Sequence, residues 1–362
     1  MPDWTRSMQQ TFEFYKVDPG TWGITEKLDF FKSGSIVRDL ENETSGSASF
    51  STTKAIGECY IRPFLVTTQY SRDNGTRSES VERFPLGTYL CQTPGTKFDG
   101  LTEDYSIEAY TPLIELKEKT VPVGYGLRAG TRILATARNI IRENMRGPVV
   151  GGTSTDELSS NFASNLDDTW ITFISDLLLC GNYMLDLDNT GQVLFSPIQN
   201  VSSMQPRWIY TDDNSSILYP SISVERDLYG IPNVVEVVYS NETTNLFSRV
   251  SNQLASSPTS VPSRGRTIIY REQNPEISGI VTQSVLDTTA RNILREKSSI
   301  EYKITYTHGY CPVRVGDCVL LNYKRAGLDG VRAKVIRQSI KLEPGCPVEE
   351  TAVYTETLWG NS

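Results

Sequence analysis

Ile300-Glu-Tyr-Lys-Ile-Thr-Tyr-Thr307 carries the clearest secondary-structure signal in the chain. Its apolar side chains stand at every second position from Ile300 to Tyr306, and polar side chains occupy the positions between them. A period of two places alternate side chains on opposite faces of a β-strand. The stretch therefore predicts a strand with one buried face, which directly follows a predicted helix from Thr282 to about Lys297.

Further strand patterns follow this stretch to the end of the chain. They are separated by the glycine-containing turns Gly327–Gly330 and Pro344–Gly345, which favour changes of direction between strands. The predicted strands are Val313–Tyr323, Val331–Leu342 and Glu350–Trp359. Short strands with tight turns at this spacing are typical of a small β-barrel.

A similar β-rich region occupies the N-terminal part, from Trp22 to about Lys117. Asp73-Asn-Gly75 and Asp99-Gly100 are turn signals between its strands. The predicted strands are Ser47–Thr53, Tyr60–Thr68, Gly87–Thr93 and Asp104–Tyr110. Pro85–Cys91 and Arg314–Leu320 each place a glycine just before a strand, a faint internal echo between the two β regions.

Between the β regions the periodicity becomes helical. Apolar residues from Ile133 to Met145 recur at helical spacing after Gly130-Thr131. A second helix is predicted from Asp167-Asp168 to about Gly181, and Tyr183–Phe195 reads as a hairpin around Asn189-Thr-Gly191. Strand character returns at Ile217–Glu225 and Val234–Tyr239, and the serine- and proline-rich stretch Ser251–Ser263 is predicted to be an exposed loop.

These patterns predict a mainly β fold with an α insert, in the α+β class. We predict three domains: residues 1–117 as a first β-barrel, residues 118–205 as a helical insert with a small hairpin, and residues 206–362 as strands, one helix and a second barrel. A chain of 362 residues is long enough for two or three such cores. The 36 serines and 36 threonines favour half-solvated strands and turns.

Charge and composition exclude several classes of function. The 35 basic and 43 acidic residues give a net charge of −8, with no block of like charges, so a surface that grips nucleic acid is disfavoured. No apolar run is long enough to span a membrane, and the first ten residues do not resemble a secretory signal. We therefore expect synthesis in the cytosol, with the six cysteines reduced and buried.

The candidate residues for chemistry are few. His308 is the single histidine, and its position where a strand runs into a turn predicts a surface or loop side chain. Cys311 and Cys318 are best read as core thiols, with a zinc or redox site as the alternative. A pair of carboxylates in a hydrolase site stays open, because such a pair is recognised by its separation in space.

Several aromatic side chains could stack on a sugar, although most stand on predicted core faces. They are Trp22, Phe30, Phe31, Trp170, Trp208, Tyr302, Tyr306 and Trp359. The sequence thus predicts a protein that is not an enzyme, with no catalytic, cofactor-binding or metal-binding residues and no cofactor.

Taken together, several segments resemble the tail hub proteins of tailed bacteriophages, which are similar to the hubs of contractile injection and type VI spikes. The resemblance extends over nearly the whole chain and depends on the order barrel, helical insert, strands, helix, second barrel. The segments that carry it are Ser47-Ala-Ser-Phe, Tyr60-Ile-Arg-Pro-Phe, Arg83-Phe-Pro-Leu-Gly-Thr-Tyr-Leu-Cys-Gln-Thr-Pro, Gly130-Thr131, Ile231-Pro-Asn-Val-Val and Val313-Arg-Val-Gly-Asp-Cys-Val-Leu-Leu-Asn-Tyr.

The resemblance implies a structural hub in the virion tail, made in the host cytoplasm. It implies a homotrimer whose tail-tube-like barrels form a pseudo-sixfold ring around the DNA channel and join the tail tube to the tip. Its partners would be the tail tube, distal tail or baseplate proteins, and a central spike, fibre or tape-measure protein. Because many relatives carry a C-terminal extension that this chain lacks, a separate spike or fibre is expected.

In that arrangement DNA would pass through without specific binding, and an acidic lumen would help it to slide. Strand edges near Gly87–Thr93 and Val319–Tyr323 are the predicted contact segments. The alternatives are a receptor- or carbohydrate-binding virion protein and a tail-associated peptidoglycan or polysaccharide hydrolase.

Overall fold

The computed structural model describes residues 2–73, 76–98, 100, 103–226, 228–241, 244–275, 277 and 281–357. The predicted turn residues Asn74, Gly75 and Asp99, and Trp359, lie outside the described residues. The strands are β1 (Gln9–Val17), β2 (Ile24–Lys27), β3 (Phe31–Asp39), β4 (Gly46–Thr52), β5 (Cys59–Asp73), β6 (Thr76–Pro85), β7 (Tyr89–Phe98), β8 (Glu103–Tyr110), β9 (Gly126–Leu127), β10 (Phe162–Ala163), β11 (Tyr183–Leu187), β12 (Val193–Pro197), β13 (Pro206–Thr211), β14 (Leu218–Arg226), β15 (Val234–Ser240), β16 (Asn245–Ser251), β17 (Ile269–Gln273), β18 (Ser299–Gly309), β19 (Cys318–Tyr323), β20 (Leu328–Lys341) and β21 (Pro347–Thr357). The α-helices are α1 (Ile114–Lys117), α2 (Ile133–Asn144), α3 (Trp170–Leu179), α4 (Val261–Arg264) and α5 (Gln283–Lys297).

Fourteen of the described strands belong to one sheet, which contains strands from both ends of the chain. Its order is β14-β18-β21-β20-β3-β4-β8-β7-β5-β1-β2, with β13 joined through β19 to β20 and with β6 joined to β5. The two β regions meet where β20 pairs antiparallel with β3, and Ile340 lies opposite Ile36 there. The fold is therefore mainly β, as the sequence predicts. The strand pairings of the described ranges do not show a closed barrel in either region, so the two barrels stay predictions.

The helical insert has a core of its own. The inward faces of α2 and α3 pack together with residues of the hairpin β11–β12, and Ile141, Ile174 and Leu177 are fully buried. Both helices occupy the stretches predicted by their apolar spacing. The start of α3 differs, because Thr169 rather than Asp167-Asp168 caps it, its side chain accepting a hydrogen bond from the Thr172 N–H.

The chain divides into two compact units. The first contains residues 1–222 and 306–352, and the second contains residues 223–305 and 353–362. In the second unit, α5 packs on one face of the three-stranded sheet β16-β15-β17 through Leu286, Ala290 and Leu294. The domain boundaries predicted after residues 117 and 205 stay predictions.

The prediction that Ser251–Ser263 forms an exposed loop is wrong. Asn252, Thr259 and Ser260 are fully buried, and α4 begins inside the stretch at Val261. The Asn252 amide donates to the Ser257 hydroxyl, and the Ser260 hydroxyl caps α4. Side-chain hydrogen bonds satisfy the polar groups here, which allows a polar sequence to be buried.

Among the helices of the described ranges, none combines the length and the hydropathy that crossing a membrane requires.

Candidate functional site

The single histidine lies inside the first unit and not on the surface, so the predicted exposure of His308 is wrong. The apolar alternation of β18 continues through Tyr306 to His308, which puts the imidazole on the buried face. His308 and Glu350 have no exposed surface. The His308 Nε2 atom lies 3.3 Å from Glu350 Oε1, forming a buried ion pair.

The Glu350 carboxylate is surrounded by donors. The Tyr306 hydroxyl donates to Oε2 at 2.8 Å and the Tyr210 hydroxyl donates to the same oxygen at 3.2 Å. The Gln338 amide donates to Oε1. Burial alone would raise the pKa of Glu350, but His308 and the hydrogen bonds from Gln338 and Tyr306 lower it.

The ion pair with Glu350 also keeps the His308 imidazole protonated. Burial alone lowers the pKa of His308, but the Glu350 carboxylate outweighs burial and brings the pKa to about 10. The Nδ1 atom lies 2.6 Å from the Gly309 carbonyl oxygen, which can only accept a proton. Both ring nitrogens thus face acceptors, as in an imidazolium ion.

Cys311 completes a Cys–His–Glu arrangement that outwardly resembles a nucleophilic triad. Its Sγ lies 3.9 Å from His308 Nδ1 and 3.4 Å from the Tyr210 hydroxyl oxygen. Cys311 is buried together with His308 and Glu350, so no substrate can reach the sulfur. The cluster is suited to holding β13, β18, β20 and β21 together, and as arranged it provides no route for catalysis.

Metal chemistry has no support in the described ranges, where no group of three or more His, Cys, Asp and Glu side chains is arranged to hold an ion. All six cysteines are free thiols. Four of them are buried as predicted, whereas Cys59 is half-buried and Cys180 is exposed, so the expectation of burial is wrong for Cys180. Cys180 ends α3, where its thiol donates to the Asp176 carbonyl.

The candidate aromatic side chains that the structure describes do not form one platform. Trp22 packs against Tyr60, Phe31 stacks on Phe14, and Trp170 contacts Phe173 within the helical insert. In the second unit Tyr302 stacks on Tyr354. Each group serves a different core, in agreement with the prediction that most of these residues are core residues.

Both strand segments predicted as edges are interior. The residues from Thr88 to Cys91 are buried, and β7 is paired with β8 on one side and with β5 on the other. β19, which contains Val319–Tyr323, lies between β13 and β20. The predictions fail because a strand is central or at an edge according to which distant strands pair with it, and no local pattern of either segment shows that.

The edges in the described part of the sheet are β2, β6, β13 and β14. Each pairs with a single strand, β1, β5, β19 and β18 respectively. All four residues of β2 are exposed, including the apolar Ile24. Such edges present unpaired backbone groups that another chain can pair with.

A cluster of charged side chains links the edge strands β2 and β6 to β1. Glu13 of β1 binds Lys27 of β2 at 3.0 Å and Arg83 of β6 at 2.9 Å. Burial raises the pKa of Glu13, but the bonds from Lys27, Arg83 and Tyr15 lower it overall. The carboxylate therefore remains charged and links the edge strands on one face.

β5 and β6 continue as a hairpin beyond the rest of the sheet. β1 pairs with β5 only as far as Thr68, whereas the β5–β6 register runs on from there to Asp73↔Thr76. Val81 opposes Thr68, where the hairpin leaves β1, and 49% of Val81 is exposed. We call residues 69–73 and 76–81 the hairpin arm.

One face of the sheet carries small hydroxyl side chains where β3, β4 and β8 lie side by side. Ser35 opposes Ser49, and Ser51 lies between Ser33 and Ser106. The opposite face of these strands is the core, with Ile36, Phe50 and Ile107 buried. We call the set Ser33, Ser35, Ser47, Ser49, Ser51 and Ser106 the serine face.

The hairpin β11–β12 is anchored at its tip to the N-terminal strands. The Thr190 carbonyl accepts hydrogen bonds from Trp22 Nε1 at 2.9 Å, the Thr88 hydroxyl at 2.6 Å and Arg62 Nη2 at 3.1 Å. The Gly87 N–H donates to the Asn189 carbonyl. The sequence predicts this turn but contains no signal for its three donors, which come from distant segments.

The two echoing segments both lie against this hairpin. Gly87 contacts its tip, and Arg314 donates to Asp186 at 3.1 Å and to the Leu187 carbonyl. Gly87 and Gly316 both have positive φ angles, 118° and 93°, in the region that favours glycine. The echo thus corresponds to two similar strand entries that both contact one hairpin.

Comparison with known proteins identifies the fold. No protein-family model and no curated protein matches the sequence. Among solved structures, the chain is similar to a tail protein from Neisseria meningitidis, with a TM-score of 0.62, 11% identity, and coverage of 97% of this chain and 98% of the other. It is also similar to the 43 kDa tail protein of prophage MuSo2 from Shewanella oneidensis, with a TM-score of 0.60, 13% identity, and coverage of 95% and 98%. The chain therefore has the fold of these two tail proteins.

Proposed function

We propose that this chain is a structural protein of a phage tail, and specifically the hub of the tail tip or baseplate. The observation that carries the proposal is its likeness to two tail proteins over nearly the full length of both chains. Because the likeness extends over nearly the whole of each chain, it is not limited to one module that unrelated proteins could share. A structural role also agrees with the sealed Cys–His–Glu cluster, which offers no accessible catalytic group.

The finer proposal is a homotrimer that forms a pseudo-sixfold ring. The exposed edges β2 and β6 and the hairpin arm supply surfaces for subunit contacts. A two-stranded ribbon is only marginally stable in water. The arm therefore gains stability if a neighbouring subunit covers it, and we assign it to the contact between subunits.

The ring would surround the DNA channel and join the tail tube to the tip. A net charge of −8 in each chain makes DNA adhesion unfavourable in a ring of three. The serine face is the surface that we assign to the channel, since its hydroxyl groups carry no charge and the carboxylate of Glu108, which lies opposite Ser49, repels phosphates. The partners would be tube and distal tail proteins and a central spike, fibre or tape-measure protein, all in the virion tail after synthesis in the host cytoplasm.

The test is the mass of the purified chain by light scattering, together with negative-stain imaging. We expect a particle of three 40.5 kDa chains with a central opening. Val81→Glu places a charge in the hairpin arm and should give monomers with unchanged circular dichroism. Val123→Glu is the matched control, because Val123 is an exposed valine outside the arm.

The trimeric hub would be overturned if the unaltered chain were a monomer both as the purified protein and in a preparation of the phage tail. A trimer that survives Val81→Glu would remove the arm from the subunit contact. The described residues form no aromatic platform on which a carbohydrate could stack. Binding of the purified protein to a glycan array would favour the carbohydrate-binding role instead.

A further inference from the structure

Two cysteines face each other on neighbouring strands of the first unit. Cys59 begins β5, Cys91 lies in β7, and the antiparallel register places them directly opposite one another. The two thiols affect each other's pKa, in opposite directions. The proposed tail function does not use this pair.

The register suits a covalent link between the two sulfurs. Directly opposed residues on antiparallel strands have Cα atoms about 4.5–5.5 Å apart, and a disulfide spans Cα separations of about 4.4–6.8 Å. The strands do not need to slide to bring the two sulfurs together. The next pair in the ladder, Tyr60↔Leu90, is buried and holds this register.

The two thiols differ in reactivity. Cys59 is half-buried, and the neighbouring Cys91 thiol lowers its pKa, with help from Lys16 and against the effect of burial. Cys91 is buried, and the neighbouring Cys59 thiol together with burial raises its pKa. Because the thiolate is the nucleophile, Cys59 is the attacking sulfur and Cys91 is the resolving one.

We propose that Cys59 and Cys91 form a redox-active dithiol that reacts with small-molecule disulfides such as oxidised glutathione. The Cys59 thiolate attacks one sulfur of the small disulfide, which forms a mixed disulfide and releases one thiolate. Cys91 then loses its proton and attacks Cys59 Sγ, which releases the second thiolate. Two protein thiols are oxidised to one protein disulfide, and one small disulfide is reduced to two thiols.

The resulting bond would link β5 to β7 at the base of the strand whose far end forms the hairpin arm. The other cysteines do not share this geometry. Cys318 lies opposite Pro206 and Lys334, and Cys180, Cys311 and Cys346 lie outside the strands. The reaction is therefore specific to one pair.

The experiment exposes the folded chain to a glutathione redox buffer, quenches it with acid and alkylates the remaining thiols after unfolding. Mass spectrometry should show four alkylated cysteines instead of six, and peptide mapping should show one cross-link between the peptides of Cys59 and Cys91. Phenylarsine oxide, which binds adjacent thiol pairs, should add once per reduced chain. The oxidised chain should melt at a higher temperature than the reduced chain.

Two variants separate the pair from the other thiols. Cys59→Ser should keep all its remaining thiols in the redox buffer and bind no arsenical, whereas Cys180→Ser should behave like the unaltered chain. Cys59 is half-buried, so this variant is expected to fold even if Cys91→Ser does not. Six free thiols after oxidation, or a cross-link between any other two cysteines, would overturn the proposal.

Discussion

The ion pair between His308 and Glu350 is the residue-scale feature with the greatest consequence for stability. The Glu350 carboxylate accepts hydrogen bonds from Tyr210, Tyr306 and Gln338 and faces the imidazolium of His308. All of these groups are buried. Removing one partner from a buried ion pair leaves the other charge without compensation, which costs more than the pair itself gains.

Glu350→Gln keeps the shape of the side chain and removes its charge. We expect the free energy of unfolding to fall by about 3–5 kcal/mol, because His308 must then be buried either unpaired or neutral. Urea denaturation at neutral pH measures the change. Glu349→Gln is the matched control, since Glu349 is the exposed neighbour on the same strand. Equal stabilities for the two variants would contradict the role of the ion pair.

The same pair predicts how stability depends on pH. The folded pKa of His308 is about 10, above its ordinary value of 6.5, so its contribution is complete below pH 6.5 and is lost as the pH rises towards 10. Between pH 7 and 9 we expect a loss of about 2 kcal/mol in the unaltered chain. Glu350 has a lowered pKa, so its contribution is present above 4.5 and is lost as the pH falls below that value.

Urea denaturation across this range checks the dependence. In Glu350→Gln the free energy of unfolding should fall less between pH 7 and pH 9, because no carboxylate then stabilises the protonated imidazole. An unaltered chain with the same stability at pH 7 and at pH 9 would be incompatible with a charged His308.

The position of His308 could have been predicted from the sequence by extending the alternation of Ile300–Tyr306 by one more step. The glycine that follows His308 instead suggested a turn, and β18 in fact continues to Gly309. The partners could not have been predicted. Tyr210, Gln338 and Glu350 come from three other strands, and no local pattern joins them.

At the scale of elements, α2, α3, α5 and the hairpin β11–β12 could be predicted because their signals are local. Apolar spacing fixes the helix faces, and Thr282 caps α5 as a threonine before a helix should. The edge strands could not be predicted. Whether a strand is central or at an edge depends on which distant strand pairs with it, and for β7 and β19 the pairing reverses the expectation.

The tip of the hairpin β11–β12 gives the element-scale prediction. Gly191 has φ 76°, and a Cβ there would lie 2.8 Å from Thr88 Cβ. Gly191→Ala should therefore combine backbone strain with a collision at the anchored tip and destabilise the chain by about 2 kcal/mol or more. Thermal unfolding measures the loss.

Gly330→Ala is the matched control for that substitution. Gly330 has φ 71° and open space around its Cα, so alanine there meets only the backbone strain. The difference between the two variants is the contribution of the anchor. If both variants lose the same stability, the contact between Gly191 and Thr88 does not constrain the hairpin.

At the scale of the whole molecule, the pairing of β3 with β20 connects strands that are about 300 residues apart in sequence. Arg38 of β3 also donates to the Gln338 side chain of β20 at 3.3 Å. The sequence shows two β regions and gives no indication that they share a sheet, because each carries the same alternating pattern. The shared sheet means that the N-terminal strands depend on the C-terminal ones.

That dependence predicts how fragments of the chain behave. Residues 1–222 alone should not unfold cooperatively, because β3 has lost β20 and Arg38 has lost Gln338. A chain in which a short Gly–Ser linker replaces residues 229–297 keeps every strand of the first unit, and it should melt in one sharp transition. Calorimetry of both proteins tests the prediction. A sharp transition in residues 1–222 alone would show that the N-terminal strands form an independent domain, as the predicted boundaries suggest, and that the pairing of β3 with β20 contributes little to their stability.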